Sequence, residues 1–161
     1  MTSQPDTEFS SLAISQAQID NLRSLEYACM TPIQAASLPE ILAGNDLIAQ
    51  AKTGSGKTAA FGIGLFEQIN PRFFGTQALV LCPTRELADQ VAQELRRLAR
   101  ALPNLKLLSL VGGKPFGPQK DSLAHGAHVV VGTPGRVLDH LQKGNLKLQG
   151  LRTLILDEAD H

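Results

Sequence analysis

Along the 161-residue chain, segments with apolar residues at helical spacing alternate with short continuous apolar runs. Apolar residues three and four apart predict a helix over residues 14–25. Thr31 followed by Pro32 predicts the start of a second helix, which ends before Gly44. Short continuous apolar runs bounded by turn residues predict buried strands. The predicted strands are residues 46–51, 78–83, 105–113, 128–133 and 152–159, and the further predicted helices are residues 57–69, 85–102, 116–125 and 135–142.

This alternation of five strands with helices predicts an α/β fold, in which a parallel sheet is covered by helices on both faces. Ligands of such folds bind at the carboxyl ends of the strands. Residues 1–8 are polar and are expected to form a flexible N-terminus, so the predicted domain covers residues 9–161.

Composition adds an uneven distribution of charge to this picture. Apolar residues make up 43% of the chain, which favours a packed globular protein. Net charge is zero, but residues 1–51 carry −5, residues 52–152 carry +8 and residues 153–161 carry −3. The basic middle segment suits phosphate, although solvated helix faces give much of the same excess. The arginines expected on such a face are Arg96, Arg97 and Arg100.

Neither of the two cysteines, Cys29 and Cys82, belongs to a CxxC pair, so both are expected to be thiols buried in the core rather than metal ligands or disulfide partners. The N-terminus has no signal-peptide pattern, which together with the thiols predicts a reducing cytoplasm. No apolar run approaches the ~20 residues of a membrane span. The histidines have no ligand spacing and are assigned no chemistry: His125, His128, His140 and His161.

The segment AKTGSGKT (51–58) has the pattern of a phosphate-binding loop between a strand and a helix. Gly54 and Gly56 allow a tight turn whose N–H groups converge on one anion. Lys57 supplies a charge for the β- and γ-phosphates, and the Thr58 hydroxyl is a ligand for Mg²⁺. The predicted nucleotide-binding residues here are Ala51 (where the general pattern has glycine), Lys52, Thr53, Gly54, Ser55, Gly56, Lys57 and Thr58.

The segment LILDEAD (154–160) is an apolar strand that ends in carboxylates. Beside a phosphate-binding loop, Asp157 is predicted to hold Mg²⁺, largely through water, and Glu158 to orient and activate the attacking water. Asp160 is predicted to couple the nucleotide state to a neighbouring loop. Taken alone, an acidic strand end is also a common surface feature.

Several short motifs in a fixed order resemble the DEAD-box ATP-dependent RNA helicases over residues 9–160. In chain order they are AKTGSGKT (51–58), PTREL (83–87), GG (112–113), TPGR (133–136) and DEAD (157–160). The resemblance implies a RecA-like P-loop lobe, ATP and Mg²⁺ as cofactors, and hydrolysis of ATP coupled to unwinding of short RNA duplexes. It implies catalytic roles for Lys57, Asp157 and Glu158. The sequences of several segments are most similar to those of family members that act on ribosomal RNA.

The stretch EYACMTPIQ (26–34) resembles the adenine-recognising Q motif of the same family. The resemblance implies that the Gln34 amide reads adenine, since it donates and accepts together. It also implies that Phe9, which lies 17 residues before Glu26, stacks on the base. Without the resemblance, Phe9 would be an ordinary hydrophobic anchor. The motif usually opens with glycine, so Glu26 leaves the local turn open.

The resemblance assigns RNA contacts to the three motifs between the phosphate-binding loop and DEAD. Their hydroxyls, backbone N–H groups and arginines suit a sugar–phosphate backbone and do not read sequence. Aromatic residues are 4% of the chain, so base stacking is not expected to dominate affinity. Thr133 and Pro134 also match a helix start. The residues assigned to RNA are Pro83, Thr84, Arg85, Gly112, Gly113, Thr133, Pro134, Gly135 and Arg136.

The sequence leaves three alternative functions to be considered. Residues 1–161 stop one residue after DEAD and contain no second RecA-like lobe, so they are expected to bind adenine nucleotide weakly and to hydrolyse it little. A nucleotide-binding module without catalysis is therefore the first alternative.

A P-loop GTPase, the second alternative, requires a guanine-reading Asn/Thr-Lys-x-Asp element, which has no match here. A DNA helicase is compatible with the phosphate-binding loop, and a monomer is expected.

Overall fold

Six α-helices and four strands form within residues 8–52 and 54–158, the part of the chain that the computed structural model describes. Two short 3₁₀ turns, Phe9–Ser11 and Ala99–Ala101, accompany them. In chain order the elements are α1 (Gln16–Ser24), α2 (Pro32–Leu42), α3 (Lys57–Gln68), β1 (Ala78–Leu81), α4 (Arg85–Leu98), β2 (Leu107–Leu110), α5 (Phe116–His125), β3 (Val129–Gly132), α6 (Pro134–Gln142) and β4 (Thr153–Leu156).

These elements belong to two compact units. The first contains the residues up to Gln68 together with Arg97–Leu102, and therefore includes α1, α2 and α3. The second contains Ile69–Arg96 and the residues from Pro103 onward, and therefore holds all four described strands with α5, α6 and most of α4.

In the first unit, helix ends are satisfied by specific side chains. The Thr31 hydroxyl accepts a bond from the Gln34 N–H, and the Gln34 side chain accepts one from the Thr31 N–H, which is a capping box. Pro32 follows at the first helical position, so the predicted start of α2 is confirmed. Gln18 of α1 donates to the carbonyl of Leu98 at 3.1 Å, one of the carbonyls that a helix end leaves without a partner.

In the second unit, the four strands form one parallel sheet in the order β2-β3-β1-β4. Leu79 of β1 lies opposite Val130 of β3 on one side and Leu154 of β4 on the other. Successive side chains of a strand point to opposite faces, and all four residues of β3 are buried. Both faces of this central strand are therefore covered, as the continuous apolar runs predict.

A hydrophobic core lies against one face of this sheet. Its buried members come from three strands or their ends, from α6 and from loops. They are Leu79, Leu110, Ala127, Val130, Val137 and Leu146. Leu123 of α5 and Leu141 of α6 pack against the cluster, so both helices are fixed on the sheet by apolar contact.

The prediction of a strand over residues 46–51 is wrong. The segment has no regular structure, and its Leu47 and Ile48 side chains are 43% and 94% exposed. An apolar sequence forms a strand only where its backbone bonds to a neighbour, and none of the described strands pairs with it. The expected five-stranded sheet thus has four strands over the described residues, and the strand expected before the phosphate-binding loop is not formed.

The other strands lie where predicted but are shorter, four residues each. β4 pairs with β1 on one side, and its Leu154 and Leu156 side chains are more than half exposed. Helix α5 has the predicted bounds, while the segment 85–102 ends as a 3₁₀ turn after Leu98.

Candidate functional site

The predicted phosphate-binding loop forms a tight turn that leads directly into α3. Gly54 and Gly56 have φ of +84° and +89°, in the left-handed region that favours glycine, and α3 begins at Lys57. The Ser55 N–H donates to the Lys52 carbonyl at 3.1 Å, which closes the turn. The start of a helix presents unpaired N–H groups and a positive dipole end, the arrangement that binds phosphate.

The Ser55 hydroxyl gives a direct test of whether a phosphate group fits this loop. Its oxygen is buried and has no hydrogen-bond partner among the described residues. Native proteins seldom leave such a group unpaired, and a hydroxyl donor beside turned glycines suits an anionic oxygen. Ser55, Gly54 and Gly56 therefore fit a nucleotide phosphate. Thr53 lies outside the described residues, so its predicted role is not examined by the structure.

Gln34 joins the second helix to the phosphate-binding loop. Its side chain is 1% exposed, its Nε2 donates to the Gly56 carbonyl at 3.1 Å, and its Oε1 accepts from the Thr31 N–H at 2.9 Å. A side-chain amide offers two N–H donors and two lone pairs, so each end can make one further bond. Recognition of adenine by Gln34 remains a prediction, and this geometry leaves one donor and one acceptor for it.

Helix α1 ends at the position where the resembled Q motif has glycine. The Tyr27 N–H donates to the Leu22 carbonyl at 2.9 Å, and the Glu26 N–H donates to the Arg23 carbonyl at 3.0 Å. This pair of bonds is a Schellman motif, whose left-handed residue is usually glycine. Glu26 takes that conformation with φ of +66°. The expected turn is thus kept despite the substitution.

Replacing Glu26 by glycine is expected to stabilise the protein by about 0.5–1 kcal/mol, because the left-handed conformation is strained for residues with a Cβ atom and glycine's entropy offsets part of the gain. Urea denaturation followed by circular dichroism measures the difference. As a control, Gln93→Gly at an exposed position of helix α4 should cost about 1 kcal/mol. Loss of stability in Glu26→Gly would contradict the assigned strain.

Phe9 lies in the short 3₁₀ turn before α1. Its side chain is 4% exposed, and its ring meets the Tyr27 ring edge to face, with centroids 6.5 Å apart. The hydrophobic-anchor role that the sequence left open is therefore present. Stacking of Phe9 on adenine remains a prediction.

Within the second unit, the predicted RNA-contacting motifs follow three neighbouring strands at one edge of the sheet. The Gly112–Gly113 pair follows β2, Thr133 follows β3 and Pro83 follows β1. Because the sheet is parallel with the order β2-β3-β1-β4, the three motifs lie side by side, and Asp157 follows the fourth strand. We call this set of strand ends the motif edge.

Individual side chains at the motif edge differ in how firmly they are held. The Thr84 hydroxyl accepts from the Leu87 N–H at 3.2 Å and so caps α4, whereas Thr133 precedes α6 without a side-chain cap bond. Gly113 has φ of +83°, and a Cβ atom there would collide with the Arg85 guanidinium. Glycine at this position therefore permits a close approach of Arg85 to the backbone.

The carboxylates at the end of β4 lie beside a buried thiol. Asp157 is 6% exposed, and Glu158 has the left-handed φ of +52°. Such strained backbone is often found at functional sites. Burial, with smaller contributions from the Asp157 and Glu158 carboxylates, raises the pKa of the Cys82 thiol to about 12. Asp160 lies outside the described residues.

The expected core position is confirmed for Cys82 and wrong for Cys29, whose side chain is exposed. Thiol labelling of the native protein is therefore expected to modify Cys29 and to leave Cys82 unreacted, because Cys82 is buried and stays protonated. Ellman's reagent should report one thiol per chain under native conditions and both in denaturant. The Cys29→Ser variant should show none until it is unfolded. Prompt reaction of both thiols in the native protein would contradict the burial of Cys82.

The chemistry of the described side chains limits the metals they suit. No group of three or more His, Cys, Asp or Glu residues within residues 8–52 and 54–158 is arranged to hold a metal ion. Thr58 and Asp157 each offer an oxygen atom, the ligand type that Mg²⁺ prefers, and their binding of Mg²⁺ stays a prediction. The same part of the chain has no helix long and apolar enough to cross a membrane.

The loop geometry and the order of the motifs agree with the match to a family model. The model described as DEAD/DEAH box helicase matches residues 31–161. The chain belongs to the DEAD/DEAH box helicase family. The predicted family is therefore confirmed, and its RecA-like α/β fold agrees with the parallel sheet observed here.

Two named helicases are similar in sequence to this DEAD/DEAH box helicase chain. It is 66% identical over 155 residues to the ATP-dependent RNA helicase DbpA of Escherichia coli (strain K12), covering 96% of this chain and 34% of that protein. It is 44% identical to the DEAD-box ATP-dependent RNA helicase CshA of Geobacillus kaustophilus, and this match covers 96% of this chain and 33% of that protein. The chain thus spans about one third of these relatives.

A solved structure of a DEAD/DEAH box helicase relative has the same fold. The crystal structure of a DEAD box protein from the hyperthermophile Methanococcus jannaschii matches with a TM-score of 0.90 at 43% identity. The match covers 96% of this chain and 42% of the other.

Proposed function

We propose that this chain is the first RecA-like, nucleotide-binding lobe of an ATP-dependent RNA helicase. The observation that carries the proposal is the turn at Gly54 and Gly56, which leads into α3 at Lys57 and encloses the unpaired Ser55 hydroxyl. Turned glycines before a helix start are the arrangement that binds nucleotide phosphates. The identity of 66% to a protein named as an ATP-dependent RNA helicase supports the same function.

The roles of individual residues follow from their chemistry. We propose that Lys57 contacts the β- and γ-phosphates, that Gln34 recognises adenine, and that Glu158 orients the attacking water. Thr58 and Asp157 would hold Mg²⁺. When bound, that ion neutralises charge on the transferred phosphoryl group.

RNA is proposed to bind along the motif edge. Its glycines, hydroxyls and arginines offer donors to phosphate and sugar, and the exposed Arg85 adds charge. Ribosomal RNA, unwinding of short duplexes, a monomeric state and a cytoplasmic location are the finer parts of this proposal.

Fluorescence anisotropy with labelled single-stranded oligonucleotides tests the RNA part of the proposal. The chain should bind oligouridylate and oligoadenylate with similar affinity, and binding should weaken as salt rises. Arg85→Ala should weaken it, while Arg100→Ala, on an exposed 3₁₀ turn, should not. Equal binding of RNA and DNA would favour a general single-strand binder, and no binding of RNA would contradict the proposed RNA-binding edge.

A further inference from the structure

Gln119 of α5 connects two of the motifs at the motif edge. Its side chain is 6% exposed, and its Nε2 donates to the Val111 carbonyl at 3.1 Å. Val111 directly precedes the glycine pair. The Oε1 of the same amide accepts from the Arg136 guanidinium at 3.0 Å and from the His140 ring at 2.9 Å. One buried amide therefore bonds to the loop after β2 and to the arginine of TPGR.

The direction of these bonds determines the protonation of His140. Because the Gln119 Nε2 is the donor to Val111, the oxygen of the amide faces the imidazole and can only accept. His140 Nε2 must then carry the proton, and its Nδ1 accepts from the Asn145 amide at 3.2 Å. Every polar atom of the His140 ring is thus used, and the ring in turn fixes which way Gln119 points.

The same imidazole is fixed in position by an aromatic partner. Phe116 stacks on His140 with a centroid distance of 4.1 Å and an interplanar angle of 1°. Lys143 lies 4.4 Å from the centroid of the Phe116 ring, and Arg136 lies 5.6 Å from it. Both cations therefore lie within the range of attraction to the ring.

The backbone at the end of α6 explains how Asn145 reaches the imidazole. Gly144 has φ of +75°, its N–H donates to Leu141, and the Asn145 N–H donates back to the His140 carbonyl at 2.9 Å. This is a Schellman motif, which brings the residue after the glycine against the third residue from the helix end. The turn after α6 thereby brings Asn145 into the hydrogen-bond network, as its fourth side chain after Gln119, Arg136 and His140.

We propose that Gln119, oriented by His140, is a positioning residue for RNA binding: it holds the Arg136 guanidinium and the loop before Gly112 in one fixed arrangement. The proposal rests on the proposed function, since it assumes that RNA binds at the motif edge. Arg136 also donates to the Lys114 carbonyl at 2.8 Å, so its Nη1 is fully engaged. Its remaining donors stay available for a phosphate group.

A positioned arginine has a definite advantage over a mobile one. A long side chain that is already held loses less conformational freedom when it binds phosphate, so more of the interaction appears as affinity. Burial, together with the charges of Arg136 and Lys143 and against that of Asp139, lowers the pKa of His140. The imidazole therefore stays neutral at physiological pH, and the Nε2–H donor form is kept.

A double-mutant cycle on RNA affinity tests this role. The probe is fluorescein-labelled oligouridylate, and the variants are Gln119→Met, Arg136→Ala and the two combined. Each single variant should weaken binding about 3- to 10-fold, and each should reduce the salt dependence by about one phosphate contact, a slope change of roughly 0.7. The double variant should bind no more weakly than Arg136→Ala. Gln142→Met, at an exposed position of α6, is the matched control and should change nothing.

The outcomes separate this inference from the proposed function. If Arg136→Ala weakens RNA binding and Gln119→Met does not, or if their effects add, the positioning role is wrong while RNA binding at the edge stands. If the wild-type chain binds RNA and Arg136→Ala has no effect, the positioning role is likewise wrong while RNA binding stands. If the folded wild-type chain does not bind RNA, both proposals fail. A purely structural Gln119 would lower the melting temperature without coupling to Arg136.

A second measurement needs no variant of Gln119. Nitrogen-15 NMR of the wild-type chain should show His140 with Nε2 protonated and Nδ1 bare, and the Arg136 guanidinium with slowed rotation. A freely rotating guanidinium, or the opposite imidazole tautomer, would overturn the positioning role whether or not Gln119→Met folds.

Discussion

Replacing Lys57 by alanine is expected to weaken ADP binding about 10- to 150-fold, which corresponds to the roughly 1.5–3 kcal/mol of a hydrogen bond to a charged group. Lys57 is the first residue of α3 and directly follows the turned Gly56. Removing the ammonium takes away the charge that is proposed to contact the phosphates. Equilibrium titration with fluorescent ADP in the presence of Mg²⁺ measures the change.

The matched control for Lys57→Ala is Lys147→Ala, which removes a lysine from an exposed position outside the described helices and strands. It should leave the dissociation constant unchanged. Circular dichroism establishes that both variants fold. Equal affinity of wild type and Lys57→Ala for ADP would show that the turn at residues 54–57 is not the phosphate site.

Replacing Gly56 by alanine is expected to destabilise the protein by about 2–5 kcal/mol and to abolish measurable ADP binding. A Cβ atom at this position would lie 2.5 Å from the Gln34 Nε2 and 2.9 Å from the Thr31 hydroxyl. The left-handed φ of +89° adds about 1–2 kcal/mol of strain, and the collision adds the cost of overpacking. Urea denaturation gives the first quantity and ADP titration the second.

The neighbouring Gly54 offers a control that separates strain from collision. Its φ is +84°, but a Cβ atom there would meet nothing within 4 Å. Gly54→Ala should therefore cost only the backbone strain, about 0.5–1 kcal/mol after the smaller conformational entropy of alanine in the unfolded chain is taken into account. If the two variants were equally stable, the close approach of Gln34 to Gly56 would be wrong.

Local sequence signals predicted the helices better than the strands. The start of α2 is specified by residues close together in the sequence. Thr31 and Gln34 bond to each other and Pro32 lies at the first helical position, so the capping box follows from sequence. Residues 46–51 contain a short apolar run, residues 47–49, yet they form no strand among the described residues. A strand depends on a partner distant in sequence, which an apolar run does not reveal.

The candidate site likewise contains one part that the sequence predicts and one part that it does not. The glycine turn before Lys57 follows from a short contiguous motif, because each residue has a local requirement. Gln119 and His140 belong to no motif, and their importance depends on the parallel sheet that brings Val111 and Arg136 near them. Sequence reasoning assigned His140 no chemistry, and spacing along the chain contains no signal for this network.

The central claim is that this lobe binds adenine nucleotides selectively, and equilibrium binding of fluorescent ADP and GDP with Mg²⁺ tests it most directly. A bidentate contact from Gln34 should favour ADP by roughly 1–3 kcal/mol, and Gln34→Ala should remove that preference. Equal affinity of the folded wild-type chain for ADP and GDP would contradict recognition of adenine by Gln34. No binding of either nucleotide would contradict the nucleotide site itself.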